Sequence, residues 1–214
     1  MTRIQNNLTA IHATLPPSVQ LVTVSKFHPE EEIMEAYEVG ERDFAESHVQ
    51  ELLRKQQALP QDIRWHMIGH LQTNKVKHIV PFIHLIQSVD SLHLMDVIEK
   101  EASRINRVIP ILLEVHVARE ENKTGLSLTD LDKAISRLNQ YPHLRIDGIM
   151  GMATLTDNEE EIRRCFRDIR TAADKLPNEH PIVSMGMSHD YLTAVDEGST
   201  MVRIGTTIFG NRHY

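Results

Sequence analysis

Leu21-Val22-Thr23-Val24-Ser25-Lys26-Phe27-His28-Pro29-Glu30-Glu31-Glu32 is the stretch on which the fold turns. Its first half is apolar and β-branched, as a short strand is, and its second half opens a helix. Pro29 suits a first helical turn, and the three glutamates after it lie where the helix dipole favours negative charge. A strand that passes into a helix through a few residues is a βα unit. The pattern recurs along the chain, with strands predicted at 21–25, 43–45, 65–68, 83–89, 109–117, 146–152, 182–185 and 201–204, each followed by a segment of helical period. Alternation without consecutive strands favours parallel βα units. Eight such units in about 200 residues fit an α/β fold, a single small (β/α)8 TIM-type barrel, although a doubly wound open sheet satisfies the same alternation. Either architecture places function at the C-terminal ends of the strands.

Helix boundaries follow from local chemistry. Ile4, Leu8, Ile11 and Leu15 recur every three or four residues, so 1–17 reads as an extra N-terminal helix covering the barrel. Ser47 with Gln50, and Ser127 with Asp130, have capping-box spacing ahead of apolar positions and predict two helix starts. Asp90-Ser91 reads as a turn and helix cap. Ile162, Cys165, Phe166, Ile169 and Ala173 share one helical face, which makes Cys165 a packed core thiol rather than a nucleophile.

The bulk properties bound the function. With 214 residues, 41% of them hydrophobic, the chain can bury one sizeable core, and a single domain over 1–214 is expected. A net charge of −7 opposes a broad electrostatic grip on nucleic acid or an anionic membrane. No stretch approaches the roughly 20 apolar residues that span a bilayer, and 1–17 lacks the apolar core of a signal peptide. The one cysteine permits no internal disulfide and suits a reducing compartment, so a cytoplasmic protein is expected, as a monomer or weak dimer.

Lys26 stands at the C-terminal end of the first strand. A lysine partly desolvated in such a mouth has the lowered pKa that an imine-forming amine requires; a solvated strand-end lysine is the plainer alternative. Far along the chain, Ser184-Met185-Gly186-Met187-Ser188 leaves the seventh strand for a helix bearing Tyr191, Leu192 and Val195, with Ser188 expected at its N-cap. Directly after the eighth strand comes Arg203-Ile204-Gly205-Thr206-Thr207, where glycine lets backbone approach a ligand and threonines add hydroxyls. Barrel enzymes frequently bind phosphate with the loops after strands seven and eight. A phosphate pocket there beside a lysine on the first strand suits a phosphorylated aldehyde, while two ordinary glycine-containing turns are the alternative. Arg203 would project near the barrel mouth. Beside a pyridine nitrogen its permanent charge would keep that nitrogen unprotonated and weaken the ring as an electron sink; otherwise it steers phosphate or faces solvent.

The 13 histidines raise a metal hypothesis, and His66 and His70 have i, i+4 spacing. That spacing serves a metal on a helix, whereas 65–68 reads as a strand stopped by Gly69, which sends the two rings in different directions. No metal site is expected, and both histidines read as hydrogen-bonding groups at a strand end. Glu114 and His116 share one face of the fifth strand, with His116 read as structural. Arg119, Glu120, Glu121 and Lys123 read as a solvated rim.

In combination and order, five stretches resemble one family over about residues 21–212: Val24-Ser25-Lys26, Trp65-His66-Met67-Ile68-Gly69-His70-Leu71-Gln72-Thr73-Asn74-Lys75, Ser88-Val89-Asp90-Ser91, Ser184-Met185-Gly186-Met187-Ser188, and Met201-Val202-Arg203-Ile204-Gly205-Thr206. These resemble the pyridoxal phosphate homeostasis proteins, the YggS or PROSC family, which are related to the N-terminal barrel of bacterial alanine racemases. The resemblance implies pyridoxal 5′-phosphate (PLP) held as a Schiff base on Lys26, Arg203 beside the pyridine nitrogen, and Ser188, Gly205 and Thr206 around the phosphate. It also implies storage, buffering or delivery of the cofactor with effects on amino-acid balance, PLP-dependent apoenzymes as recipients, and no catalytic residue. Two departures touch the pocket lining: Ala45-Glu46-Ser47-His48 stands where the family usually has Gly-Glu-Asn-Tyr, and His116 where it usually has Asn.

The alternative is a PLP-dependent amino-acid racemase or another weak PLP enzyme of the same lineage. Such racemases add a C-terminal β-domain with a tyrosine as the opposing base, whereas this sequence ends at Tyr214 just past the eighth strand, so two-base inversion is not expected. A phosphosugar-type barrel enzyme would explain the phosphate loops but not Lys26 together with Arg203.

Overall fold

In the computed structural model, residues 1–118 and 124–210 are described. The charged stretch Arg119, Glu120, Glu121 and Lys123 lies outside them, as do Arg212 and Tyr214. Eight parallel strands close into a barrel in sequence order: β1 (Gln20–Val24), β2 (Asp43–Glu46), β3 (Arg64–Met67), β4 (Leu85–Val89), β5 (Ile109–Glu114), β6 (Leu144–Met150), β7 (Ile182–Ser184) and β8 (Met201–Ile204). The chain is therefore a (β/α)8 barrel, not an open sheet. Closure is made by β8 on β1, with Val22 opposite Arg203 and Thr23 opposite Ile204. The predicted strands all exist, but those at 83–89 and 109–117 begin or end inside their apolar runs. Apolar character marks burial in the loops there as well as hydrogen-bonded strand.

The helices are α1 (Arg3–Thr14), α2 (Glu30–Glu38), α3 (Val49–Ala58), α4 (Val76–Ile79), α5 (Leu92–Arg104), α6 (Leu128–Ser136), α7 (Glu159–Ala173), α8 (Tyr191–Asp196) and α9 (Thr206–Phe209). Strand alternation sorts the side chains into two shells. Leu21, Phe44, Trp65, Ile86, Ile111, Val183, Val202 and their like point outward and pack under the helices. Val22, Val24, Ala45, Leu85, Leu112, Met150 and Met201 point inward and form a separate apolar cluster inside the barrel. Cys165 and its neighbours on α7 are buried, as their spacing predicts.

Ser127 caps α6 and Ser91 caps α5, each accepting a backbone N–H from three residues on. Two expected caps fail. Helix α3 starts after His48 with no side-chain cap, so Ser47 is not its cap. Helix α8 follows Asp190, whose carboxylate accepts the Met187 N–H at 2.6 Å, and Ser188 is left free for other work. In both cases the loop runs further before turning helical than the residue type suggested.

Helix α1 buries Ile4, Leu8 and Ile11 and is tied to the end of the barrel, with Arg3 and Asn7 donating to the carbonyls of Phe209 and Ile208. It packs against α2 and α9, the helices that follow β1 and β8. Leu8→Ala is expected to lower the unfolding free energy by about 2–5 kcal/mol, the usual cost of a truncated core leucine. Urea denaturation would measure it, and a loss below about 1 kcal/mol would show that α1 is an ornament rather than part of the core.

Candidate functional site

Ser25, Lys26, Phe27 and His28 make a tight turn at the C-terminal end of β1, closed by the His28 N–H on the Ser25 carbonyl at 3.1 Å. Phe27 adopts φ +67°, a left-handed conformation that a bulky side chain rarely takes. The surroundings hold it there. Lys55, fully buried, donates to the Ser25 carbonyl, to Glu46 Oε1 and to Glu51 Oε1, each at 2.8 Å. Glu51 Oε1 in turn accepts the Phe27 N–H at 2.8 Å, and Ser25 Oγ donates to Glu46 at 2.7 Å. The peptides on both sides of Lys26 are thus bolted to one buried ion cluster, which fixes where its side chain starts.

Nothing in the sequence analysis singled out this cluster. Glu51 and Lys55 are four apart on a helix, a spacing normally read as a solvated surface pair. Burial pushes the Glu46 carboxyl up to about 7, against the opposing pull of Lys55 and Ser25. Its Oε2 is buried without a hydrogen-bond partner among the described residues.

The opposite end of the chain arrives beside this turn because β8 pairs with β1. Gly205 comes so close that a Cβ there would lie 2.9 Å from the Val24 carbonyl oxygen. The glycine was expected to admit a ligand; the atoms it admits belong to β1. The backbone N–H groups of Gly205 and Thr207 both converge on Ser188 Oγ, at a long 3.4 Å each. Between these elements lies a cavity of about 240 Å³ lined by Lys26, Ser188, Arg203, Gly205 and Thr206 together. All five residues singled out in the sequence therefore meet at one site. Val24, Ile68, Met150 and Met152 give the cavity apolar walls, and His28, which the sequence analysis passed over, joins the lining. His28 stacks on Phe209 and bonds Glu32 at 2.7 Å, so it braces the wall from behind.

Arg203 points into the barrel. It donates to Ser184 Oγ at 2.7 Å and to the Gly151 carbonyl at 3.0 Å. Burial lowers its pKa to about 10, with Glu114 and Asp190 pulling the other way, so it stays cationic at neutral pH. Glu114 is buried, its pKa raised by that burial, and accepts from Thr124 at 2.8 Å. His116 lies past the end of β5 and outside the cavity lining.

The two histidines of interest do part company. His70 is exposed at the rim and pairs with Asp90 at 2.7 Å, while His66 is buried in the barrel and meets Asp43 at 3.1 Å. Asp43, His66 and His84 bring donor atoms within 4.8 Å of one another at the N-terminal end of the barrel, a grouping the spacing gave no sign of. Arg64 already grips Asp43 through two hydrogen bonds, at 2.8 and 2.5 Å, so the geometry is that of an ion pair.

The structure is thus a closed parallel barrel that carries Lys26 and the Gly205–Thr206 turn at its mouth. The family described as the alanine racemase N-terminal domain matches residues 1–213, and the chain belongs to it. Within that family its relatives are pyridoxal phosphate homeostasis proteins. The one from Aquifex aeolicus is 41% identical over 200 residues, 91% of this chain and 88% of that protein. The structure of PipY from Synechococcus elongatus, solved with PLP bound, superposes with a TM-score of 0.88 at 38% identity, covering 97% of this chain and all of PipY. Alanine racemase from Corynebacterium glutamicum shares the fold, with a TM-score of 0.80 at 16% identity; this chain spans 60% of its length.

The buried Glu46 makes a pH prediction. Its folded pKa lies above its ordinary value of 4.5, so its contribution to stability is complete below about 4.5 and is lost as pH rises through about 7. The unfolding free energy of the wild type relative to Glu46→Gln should therefore fall by roughly 3 kcal/mol over that window. Denaturation curves at several pH values would show it, and a difference independent of pH would mean that Lys55 keeps Glu46 ionised throughout.

Proposed function

We propose that this chain binds PLP, holds it covalently on Lys26 and serves in PLP homeostasis, as a store, buffer or donor of the cofactor. The observation that carries the proposal is the single cavity in which Lys26 meets Ser188, Arg203, Gly205 and Thr206. Support comes from the relatives: the Aquifex aeolicus protein bears the homeostasis name, and PipY has been solved with PLP bound.

The residues fit the cofactor. The N–H groups of Gly205 and Thr207, which here donate to Ser188 Oγ, would with the hydroxyls of Ser188 and Thr206 offer a phosphate a donor-rich corner once Ser188 turns to it. The apolar walls suit a flat ring, and the cationic Arg203 is the group to face its nitrogen. PLP supplies an aldehyde that an amine can take up reversibly and a ring that can draw electrons from what is attached. Lys26 provides the amine, and its bolted turn keeps it at the cavity. With PLP bound, Arg203 would disfavour a second positive charge beside it, and so would keep the ring nitrogen unprotonated and the ring a weaker electron sink. We therefore read the protein as a carrier without a committed reaction, working as one PLP-binding barrel over 1–214. PLP-dependent apoenzymes in the cytoplasm are its proposed recipients, and a monomer or weak dimer its proposed form.

Purified protein should show a visible absorption band that borohydride converts to a stable adduct on the peptide containing Lys26. Lys26→Ala should abolish the adduct, and Ser188→Ala should weaken PLP retention about tenfold, the size of one lost charge-assisted hydrogen bond. Protein that takes up no PLP, or a Lys26→Ala variant that traps it equally well, would contradict the proposal. Sustained inversion of alanine with solvent deuterium entering its Cα would establish a racemase instead.

A further inference from the structure

A continuous line of hydrogen bonds runs through the barrel interior, from the cofactor cavity to the closed end. Arg203 Nη1 donates to Ser184 Oγ at 2.7 Å, and Ser184 Oγ donates to Gln87 Oε1 at 2.7 Å. Gln87 Nε2 donates to His66 Nδ1 at 2.9 Å, and His66 Nε2 meets Asp43 Oδ1 at 3.1 Å. Ser184, Gln87 and His66 are completely buried, and Asp43 and Arg203 nearly so. The line passes through the apolar cluster inside the barrel, and buried Glu114 shares the inward-facing alternation of Leu112.

The line has a direction. An amide nitrogen can only donate, so His66 Nδ1 carries no proton, and the proton of a neutral ring sits on Nε2, facing Asp43. Asp43 is a firm acceptor. Burial alone would raise its pKa, but the hydrogen bonds from Arg64 and His66 prevail and hold it well below the usual carboxylate range. If Gln87 were turned over, its carbonyl would face the bare Nδ1 and its N–H would face the serine that now donates to it. The charge on Asp43 therefore selects the His66 tautomer, the tautomer selects the Gln87 orientation, and Gln87 turns the Ser184 proton away from Arg203. Arg203 meets a lone pair as a result, and its guanidinium is held toward Ser184 and Gly151.

We propose that Gln87 and Ser184 are positioning residues for Arg203, and that the Asp43–His66 pair at the closed end of the barrel sets, through them, how firmly the guanidinium is held against the cofactor ring. The effect on the ring rests on the function proposed above; the coupling within the protein does not.

Two measurements separate these. In cofactor-free protein, nitrogen-15 NMR reads the His66 tautomer and the exchange of the Arg203 guanidinium protons. The wild type should show Nε2-protonated His66, and Gln87→Met, Ser184→Ala and Asp43→Asn should each speed Arg203 exchange about tenfold, as expected for one lost hydrogen bond. In PLP-loaded protein, Gln87→Met and Ser184→Ala should move the pH midpoint of the cofactor's visible band in the same direction, with Lys26 trapping undiminished. Ser184→Thr should restore the wild-type midpoint. The double variant should match either single one, because a line broken twice is no more broken than once. Unchanged Arg203 exchange in the cofactor-free variants, or additive shifts in the double variant, would overturn the relay. Intact NMR coupling in a protein that binds no PLP would instead overturn the proposed function and leave the relay's effect on a cofactor refuted.

Discussion

The pairing of β8 with β1 is the constraint on which the site depends. It sets Val22 opposite Arg203, and so brings two segments about 180 residues apart in sequence to the same few ångströms at the barrel mouth. Lys26 follows one strand and Gly205 the other. Gly205 is glycine because β1 passes too close for a Cβ, and it lines the same cavity as Lys26. An open sheet built from the same units would leave β1 and β8 far apart, and neither an amine nor an anion corner would then make a pocket.

Polar groups hold this junction from two sides. Outside the barrel, the buried Lys55 and its two glutamates clamp the peptides flanking Lys26, with Phe27 kept in a left-handed conformation that the rest of the turn over-determines. Inside it, Arg203 is tied to Ser184 and thence to Gln87 and His66. Such networks are costly to leave incomplete, and the one gap here is Glu46 Oε2, buried without a hydrogen-bond partner among the described residues. Holding the amine and the guanidinium in place suits the carrier role proposed for this chain.

Much of this was legible in the sequence. Strand alternation located all eight strands, and the five candidate residues line one cavity, because strand C-terminal ends converge in any such barrel. Closure itself was not legible, since open and closed sheets share the same alternation. Ser188 read as a helix cap because its residue type favours that role, but Asp190 lies nearer the helix and its carboxylate reaches back to the loop first. Lys55 was hidden by a spacing that usually belongs to solvated pairs. Gln87 and Ser184 carried a signal that passed unused: each is a polar residue in an apolar strand on the inward-facing alternation, where a polar group must find a partner inside the barrel.

A crystal structure of the protein with PLP tests the central claim most directly. Lys26 Nζ should be joined to the cofactor's aldehyde carbon, with the phosphate against Ser188 and the N–H groups of Gly205 and Thr207, and the ring nitrogen facing Arg203. PLP bound elsewhere, or seated in this cavity with its phosphate away from Ser188 and Lys26 unattached, would contradict it.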